Sequence, residues 1–326
     1  MKQQFKDKVI CIYSDSIAEH GFYMDYMRRF IAKQKEKCYI VNRSIGGSAA
    51  RLACNMIEDE IDTLKPDVVF VQYGGNDVGI YNYNANKPET PEILEKRRVR
   101  KENYLKYTEK LLCLLKDRGI DVYLFSPNCT NERMDVQGEI ETVKDNEDKA
   151  KFLKNDFYCS ESYVKVNALF ADCEEKLEKI AKKCGVGFLN AFSLTREYMY
   201  KVDGMFTEDG LHYSTHGHKF LAHIFLEFLG YENVPFEFNY KNDVCSVINQ
   251  LEQTERHIQF FKHWLYYDEE EKPFTNFYTI DDVKAKIKEK IAEPNYPFKA
   301  FALVADLFFD QQDEIRNLVV ELTKSL

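Results

Sequence analysis

The chain has 326 residues, 44% hydrophobic and 14% aromatic, enough for one sizeable α/β domain with an appendage. A net charge of −9, with the lysines interleaved among acids, argues against nucleic-acid binding as a main function. No apolar run approaches the length of a membrane span, and nine irregularly spaced cysteines without a C-x-x-C pair point to a reducing compartment.

Val9 to Tyr13 reads as a short buried strand that stops abruptly in Ser14-Asp15-Ser16. It is too short for a signal-peptide core, so a cytoplasmic protein is expected. Ile17 to Lys35 carries Phe22, Tyr26, Met27, Phe30 and Ile31 at helical spacing and is predicted as one helix. Cys38 to Val41 is a second strand, ending in Asn42-Arg43-Ser44-Ile45-Gly46-Gly47-Ser48, where the glycine pair allows a tight turn and close approach to a ligand. Ala49 to Lys65 is predicted helical and is stopped by Pro66. Asp67 to Tyr73 is the strongest strand and reads as central; it too ends in a glycine turn, Gly74-Gly75-Asn76-Asp77. A loop with Tyr81 and Tyr83 leads to a charged amphipathic helix ending at Gly119, then to a strand at Asp121–Phe125. Asn128 to Ser160 is a polar excursion, Tyr163 to Cys184 a helix capped by Gly185, and Val186 to Leu189 a fifth strand. A loop then runs through Asp209-Gly210-Leu211-His212 to His218, before a helix to Leu229.

Five strands alternating with helices predict an α/β fold: a flavodoxin-like three-layer sandwich around a five-stranded parallel sheet. A strand order of 2-1-3-4-5, taken as an assumption, brings the turns of Ser16, Gly47 and Asn76 together outside the carboxyl ends of the strands. The composition shifts after Gly230, giving an expected division into an α/β domain at 1–230 and an all-helical extension at 231–326. Ile248, Leu251, Ile258, Phe261 and Leu265 form an apolar stripe there, followed by helical stretches at Ile280–Ile291 and Phe298–Leu326. The extension shows no convergent polar cluster, so it is expected to cover the α/β domain or to join subunits of a homo-oligomer.

Ser14, Asp15 and Ser16 alone read as helix caps. The other turns add the rest of a nucleophilic site. A serine needs a base, and the base needs a group to orient it; Asp209 and His212 stand three residues apart in one loop. An oxyanion needs donors, which the backbone N–H groups of Ser16 and Gly47 and the Asn76 amide can supply from three turns. A metal site at His212, His216 and His218 is not expected, because no acidic or Cys partner shares the spacing. Tyr73, Tyr81 and Tyr83 are candidate linings of a substrate pocket.

These four blocks, Ser14–Ile17, Asn42–Gly47, Gly74–Asp77 and Asp209–His212, resemble those of the SGNH (GDSL-type) hydrolases over roughly the first 230 residues. The resemblance implies Ser16 as nucleophile, Asp209 and His212 as the acid–base pair, and Ser16, Gly47 and Asn76 as the oxyanion hole. Gly47 is preferred to Gly46 because it stands five residues after Asn42, as the family pattern requires. The family's first block begins with glycine where this chain has Ser14, which fits unless that turn requires a positive φ. The expectation is a serine esterase acting on a small acyl ester, a carbohydrate O-acetyl group being one candidate. It needs no metal or cofactor, and its partner is the small-molecule ester rather than a nucleic acid or a membrane. A lipase or lysophospholipase, and a catalytically silent SGNH fold used for binding, are the alternatives.

Overall fold

A computed structural model describes residues 1–19, 21–133, 159–201, 207, 210–234, 248–249, 251–252, 255–256 and 312–326. Five strands, β1 (Val9–Tyr13), β2 (Tyr39–Asn42), β3 (Val68–Val71), β4 (Asp121–Phe125) and β5 (Gly187–Leu189), form one sheet in the order β2-β1-β3-β4-β5. Every pairing is parallel. β1 and β3 are buried along their whole length, which is why they read as unbroken Val/Ile/Phe runs rather than alternating ones. The strand order is the one assumed from the sequence, and it places the ends of β2, β1 and β3 side by side.

Helices cover both faces. They are α1 (Ser16–Glu19), α2 (Phe22–Ile31), α3 (Ala50–Leu64), α4 (Gly75–Val78), α5 (Pro91–Asp117), α6 (Ser160–Cys184), α7 (Ala191–Lys201), α8 (Thr215–Phe228) and α9 (Gln312–Ser325). α2 packs on α8, while α3, α5 and α6 pack in succession. Between the sheet and α8, Phe70 meets Phe5, Tyr123, Phe125, Phe225 and Phe228 with ring centroids 4.9–6.1 Å apart.

Three local expectations are corrected. The helix predicted from Ile17 to Lys35 is two helices, because Gly21 takes a left-handed φ of 70° and turns the chain between α1 and α2. The glycine turn after β3 winds into the helical turn α4. The loop after β5 contains α7, whose buried Phe192, Thr195 and Met199 pack inward at three- and four-residue steps. The expected excursion at 128–160 is described only at its two ends, and the Ile280–Ile291 stretch and most of the helical extension lie outside the described residues.

Where it is described, the extension packs on the sheet edge. Ile248, Ile315 and Val319 are buried in the same core as the strands, and α9 lies against β2 and α3. The expectation that this region brings no polar groups together is overturned. Glu252, Glu255, Arg256 and Arg316 are all buried, and they meet Arg28, Arg43 and Glu60 from α2, the end of β2 and α3. Arg28 Nη2 lies 2.6 Å from Glu252 Oε1, and Arg316 Nε 2.8 Å from Glu255 Oε1. Arg43 donates to both Glu60 and Glu255. Buried charges survive only when paired in this way.

Candidate active site

Ser16 opens α1 directly after β1, at the carboxyl end of a central strand. Its Oγ lies 3.0 Å from His212 Nε2, a contact spanning 196 residues of sequence. The preceding turn is tied down locally. Asp15 Oδ1 accepts from the Ile17 N–H at 3.1 Å, and the Ser14 carbonyl accepts from the Ile45 N–H at 3.1 Å. Ser14 is buried and is not among the residues with positive φ, so the side chain that replaces the family's glycine sits on an ordinary backbone.

The loop after β2 is built around Asn42. Its Oδ1 accepts from the Ser44 N–H at 2.9 Å, and its Nδ2 donates to the Ala18 carbonyl in α1 at 2.9 Å. Ser44 Oγ donates to the Ile12 carbonyl at 3.3 Å. Gly47 then takes a φ of 74°, a left-handed conformation that a residue with a Cβ adopts only at a cost, while Gly46 is not among the positive-φ glycines. Asn76, in α4, donates from Nδ2 to the Ser48 carbonyl at 2.9 Å, and Asp77 Oδ1 accepts from the Ala50 N–H at 2.9 Å. Residues 14–16, 42–48 and 74–77 therefore form one hydrogen-bonded unit.

Burial dominates the electrostatics here. It pushes the Asp77 carboxyl up to about 7, against the stabilising Ala50 N–H, and the charge on Asp15 adds to the rise. Asp77 Oδ2 is buried without a hydrogen-bond partner among the described residues. Burial likewise raises Asp15 to about 6, opposed by the Ile17 N–H and by His212 nearby.

His212 is held by a part of the fold that its own sequence block does not reveal. The Gly210 carbonyl accepts from the Asn131 N–H at 2.7 Å, and Tyr213 Oη donates to the Cys129 carbonyl at 2.9 Å, so the chain after β4 carries the histidine loop. Thr207 and Tyr213 close that loop with an antiparallel bridge. Asp209, the expected orienting carboxylate, lies outside the described residues. Ser214 caps α8 by accepting from the Gly217 N–H at 3.3 Å. His216 and His218 take structural positions: His216 Nε2 is 3.0 Å from Tyr198 Oη, and His218 is buried with its ring parallel to that of Tyr23. Among the described residues no group of three or more His, Cys, Asp or Glu side chains is placed to hold a metal ion, and no helix is long and apolar enough to cross a membrane.

A cleft opens over Ser16 and Asn76, its apolar lining including Tyr73, Ile80, Pro127, Phe170 and Leu211 and its polar lining including Gln72 and Asn128. Of the three tyrosines expected in the pocket, Tyr73 lines it and Tyr81 and Tyr83 do not. Tyr83 is buried beneath the Arg97 guanidinium, 4.5 Å from its ring centroid, and Tyr81 is exposed. Ile80 of the same short segment takes that place, because one 3-10 turn points successive side chains in different directions. Gln72, which donates to the Ser126 carbonyl at 3.0 Å and to Asn128 Oδ1 at 3.1 Å, could have been suspected as the polar residue closing an apolar strand. Phe170 could not, since it is one of many apolar residues on a long helix.

Residues 13–220 match the model of the GDSL-like lipase/acylhydrolase family. The chain belongs to this family. Its chemistry is therefore carboxylic ester hydrolysis, and the four blocks fall within the matched range. No curated protein matches the chain. Among solved structures, a variant of Axe2, an acetyl-xylooligosaccharide esterase from Geobacillus stearothermophilus, is similar with a TM-score of 0.51 at 18% identity, covering 71% of this chain and 97% of that one. BT4096, a gut microbial diltiazem-metabolizing enzyme, is similar with a TM-score of 0.60 at 13% identity, covering 98% of this chain and 96% of its own. At these identities the likeness is one of fold; with BT4096 it runs over nearly the whole length, while with Axe2 it covers less of this chain.

Proposed function

We propose that this GDSL-family hydrolase is a serine esterase that cleaves small acyl esters through an acyl-enzyme, with Ser16 as nucleophile. The observation that carries the reading is the 3.0 Å approach of Ser16 Oγ to His212 Nε2. With the ring proton on Nδ1, Nε2 takes the hydroxyl proton as Oγ attacks the ester carbonyl. Asp209 is the carboxylate assigned to hold that tautomer. The oxyanion forms beside the N–H groups of Ser16 and Gly47 and the Asn76 amide. Collapse expels the alcohol, which receives the proton from His212. Water, deprotonated by the same nitrogen, then releases the acid and restores Ser16.

The cleft, lined by Ile80, Phe170 and Leu211, favours a short acyl group over a long chain. A carbohydrate O-acetyl ester is the alcohol class we put first, in line with the substrate in the name of the Axe2 relative. A fluorophosphonate probe should label the wild type and Ser14→Ala but not Ser16→Ala. Across p-nitrophenyl esters, kcat/KM should be highest for acetyl and fall as the chain lengthens. Labelling that survives in Ser16→Ala, or a rate that climbs with chain length, overturns the corresponding half of the proposal.

A further inference from the structure

One guanidinium from the helical extension reaches both active-site turns. Arg256 Nη1 donates to the Asn42 carbonyl at 2.9 Å, and its Nη2 donates to the Glu19 carbonyl at 2.6 Å. Glu19 is the last residue of α1, the single helical turn that begins at Ser16. Asn42 ends β2 and starts the loop that leads to Gly47. Glu252, one turn before Arg256, accepts the Asn42 N–H at 2.8 Å on Oε1 and pairs there with Arg28. The Asn42 side chain completes the tie by donating to Ala18 in α1. Asn249 adds a further contact, because its side chain fills the space that a Cβ on Gly21 would occupy, immediately behind α1. The Glu19 carboxylate in turn sits where a Cβ of Gly46 would stand.

We infer that Arg256 and Glu252 are positioning residues for the esterase site, holding the nucleophile turn and the oxyanion loop in fixed relation, an inference that rests on the esterase reading above. The geometry requires a device of this kind. A helix of four residues has almost no hydrogen bonds of its own, so its terminal carbonyls need external donors. The donor must also be rigid and must span two carbonyls on different elements, which suits the planar fork of arginine and not the single ammonium of lysine. Arg256 is buried, with Glu252 Oε2 3.7 Å away to compensate its charge. Arg256 and Glu252 therefore act on catalysis through the two turns they hold.

The test uses the full-length chain with Arg256→Lys and Glu252→Gln. Ser16 sites are counted with a fluorophosphonate, and kcat per labelled site, KM for p-nitrophenyl acetate and thermal midpoint are measured. Arg256→Lys should lower kcat per labelled site by about ten- to a hundredfold, the scale of a displacement near 1 Å, with KM changed by less than about threefold. Phosphonylation should slow in parallel. Glu252→Gln keeps the shape and an acceptor for the Asn42 N–H, so it remains informative if the lysine variant does not fold; it should show the same split with a smaller loss. A merely structural role would lower the midpoint and the fraction of sites labelled while kcat per labelled site stays at the wild-type value. That result overturns the inference, as does an effect confined to KM. Wild-type protein that is not labelled at Ser16 overturns the esterase reading and this inference together; labelled wild type with unaffected variants overturns this inference alone.

Discussion

Replacing Arg43 with methionine isolates the energetics of the buried charge cluster. Arg43 is 2% exposed and serves two carboxylates at once, Glu60 through Nε at 3.1 Å and through Nη2, and Glu255 through Nη1. Without it, Glu255 keeps Arg316 at 2.8 Å. Glu60 is left with Arg316 at 3.9 Å as its ion-pair partner among the described residues. The uncompensated charge thus falls on Glu60. Breaking a buried pair from one side costs about 3–5 kcal/mol, so Arg43→Met should lower unfolding free energy by that amount at pH 7. A urea titration reads it as a lower midpoint at unchanged slope. Adding Glu60→Leu removes the stranded carboxylate and should recover more than half the loss, since a paired charge and a packed apolar group are often close in stability. The pH dependence supplies a sign. Burial works to raise the Glu255 carboxyl, but Arg43 and Arg316 more than reverse this and hold it below its ordinary value. A depressed acid contributes stability that is complete above its unfolded pKa and is lost as pH falls through the folded one. Arg43→Met forfeits part of that contribution, so the gap between the two proteins should narrow below about pH 4, where unfolded carboxylates protonate. A loss under about 1 kcal/mol, the range of a surface pair, or a gap that widens on acidification, would refute the reasoning.

Asp77 has the opposite sign, because its carboxyl is raised to about 7 by burial: its stabilising contribution is present below the unfolded pKa and fades as pH rises towards 7. Asp77→Asn, which keeps an acceptor for the Ala50 N–H, should therefore gain on the wild type in urea midpoint between pH 5 and pH 8; a constant difference would show that the carboxyl does not titrate there. Asn76→Ala removes an oxyanion donor and should cut kcat by about a hundred- to thousandfold while KM moves little, and a change in KM alone would reassign Asn76 to substrate binding. Gly21→Ala places a Cβ against Asn249 at a φ of 70°, so the thermal midpoint should drop by several degrees; an unchanged midpoint would mean that the α1–α2 turn is not held as described.

The sequence by itself determined the strands and their turns, because a parallel sheet buried on both faces demands apolar runs, and the chemistry at their ends demands serine, glycine and asparagine. Val9–Tyr13 and Asp121–Phe125 are strands with the boundaries read from composition alone. Ser16, Gly47 and Asn76 were legible for the same reason: each sits where a strand pattern breaks. The family resemblance already pairs Ser16 with His212; tertiary structure alone decided how that contact is made and held. The contact between Ser16 and His212 depends on strand order and on the Cys129–Asn131 segment that carries the histidine loop, neither of which leaves a periodic signal. Tyr83 and Ile80 could not be told apart, since a short 3-10 turn assigns its faces by what packs around it. Glu252, Glu255 and Arg256 were missed most completely, since the extension shows no convergent polar cluster in the sequence. Charge spacing along a helix looks the same whether the partner is water or a buried ion of opposite sign, and only the docking of the extension onto β2 and α3 decides between them.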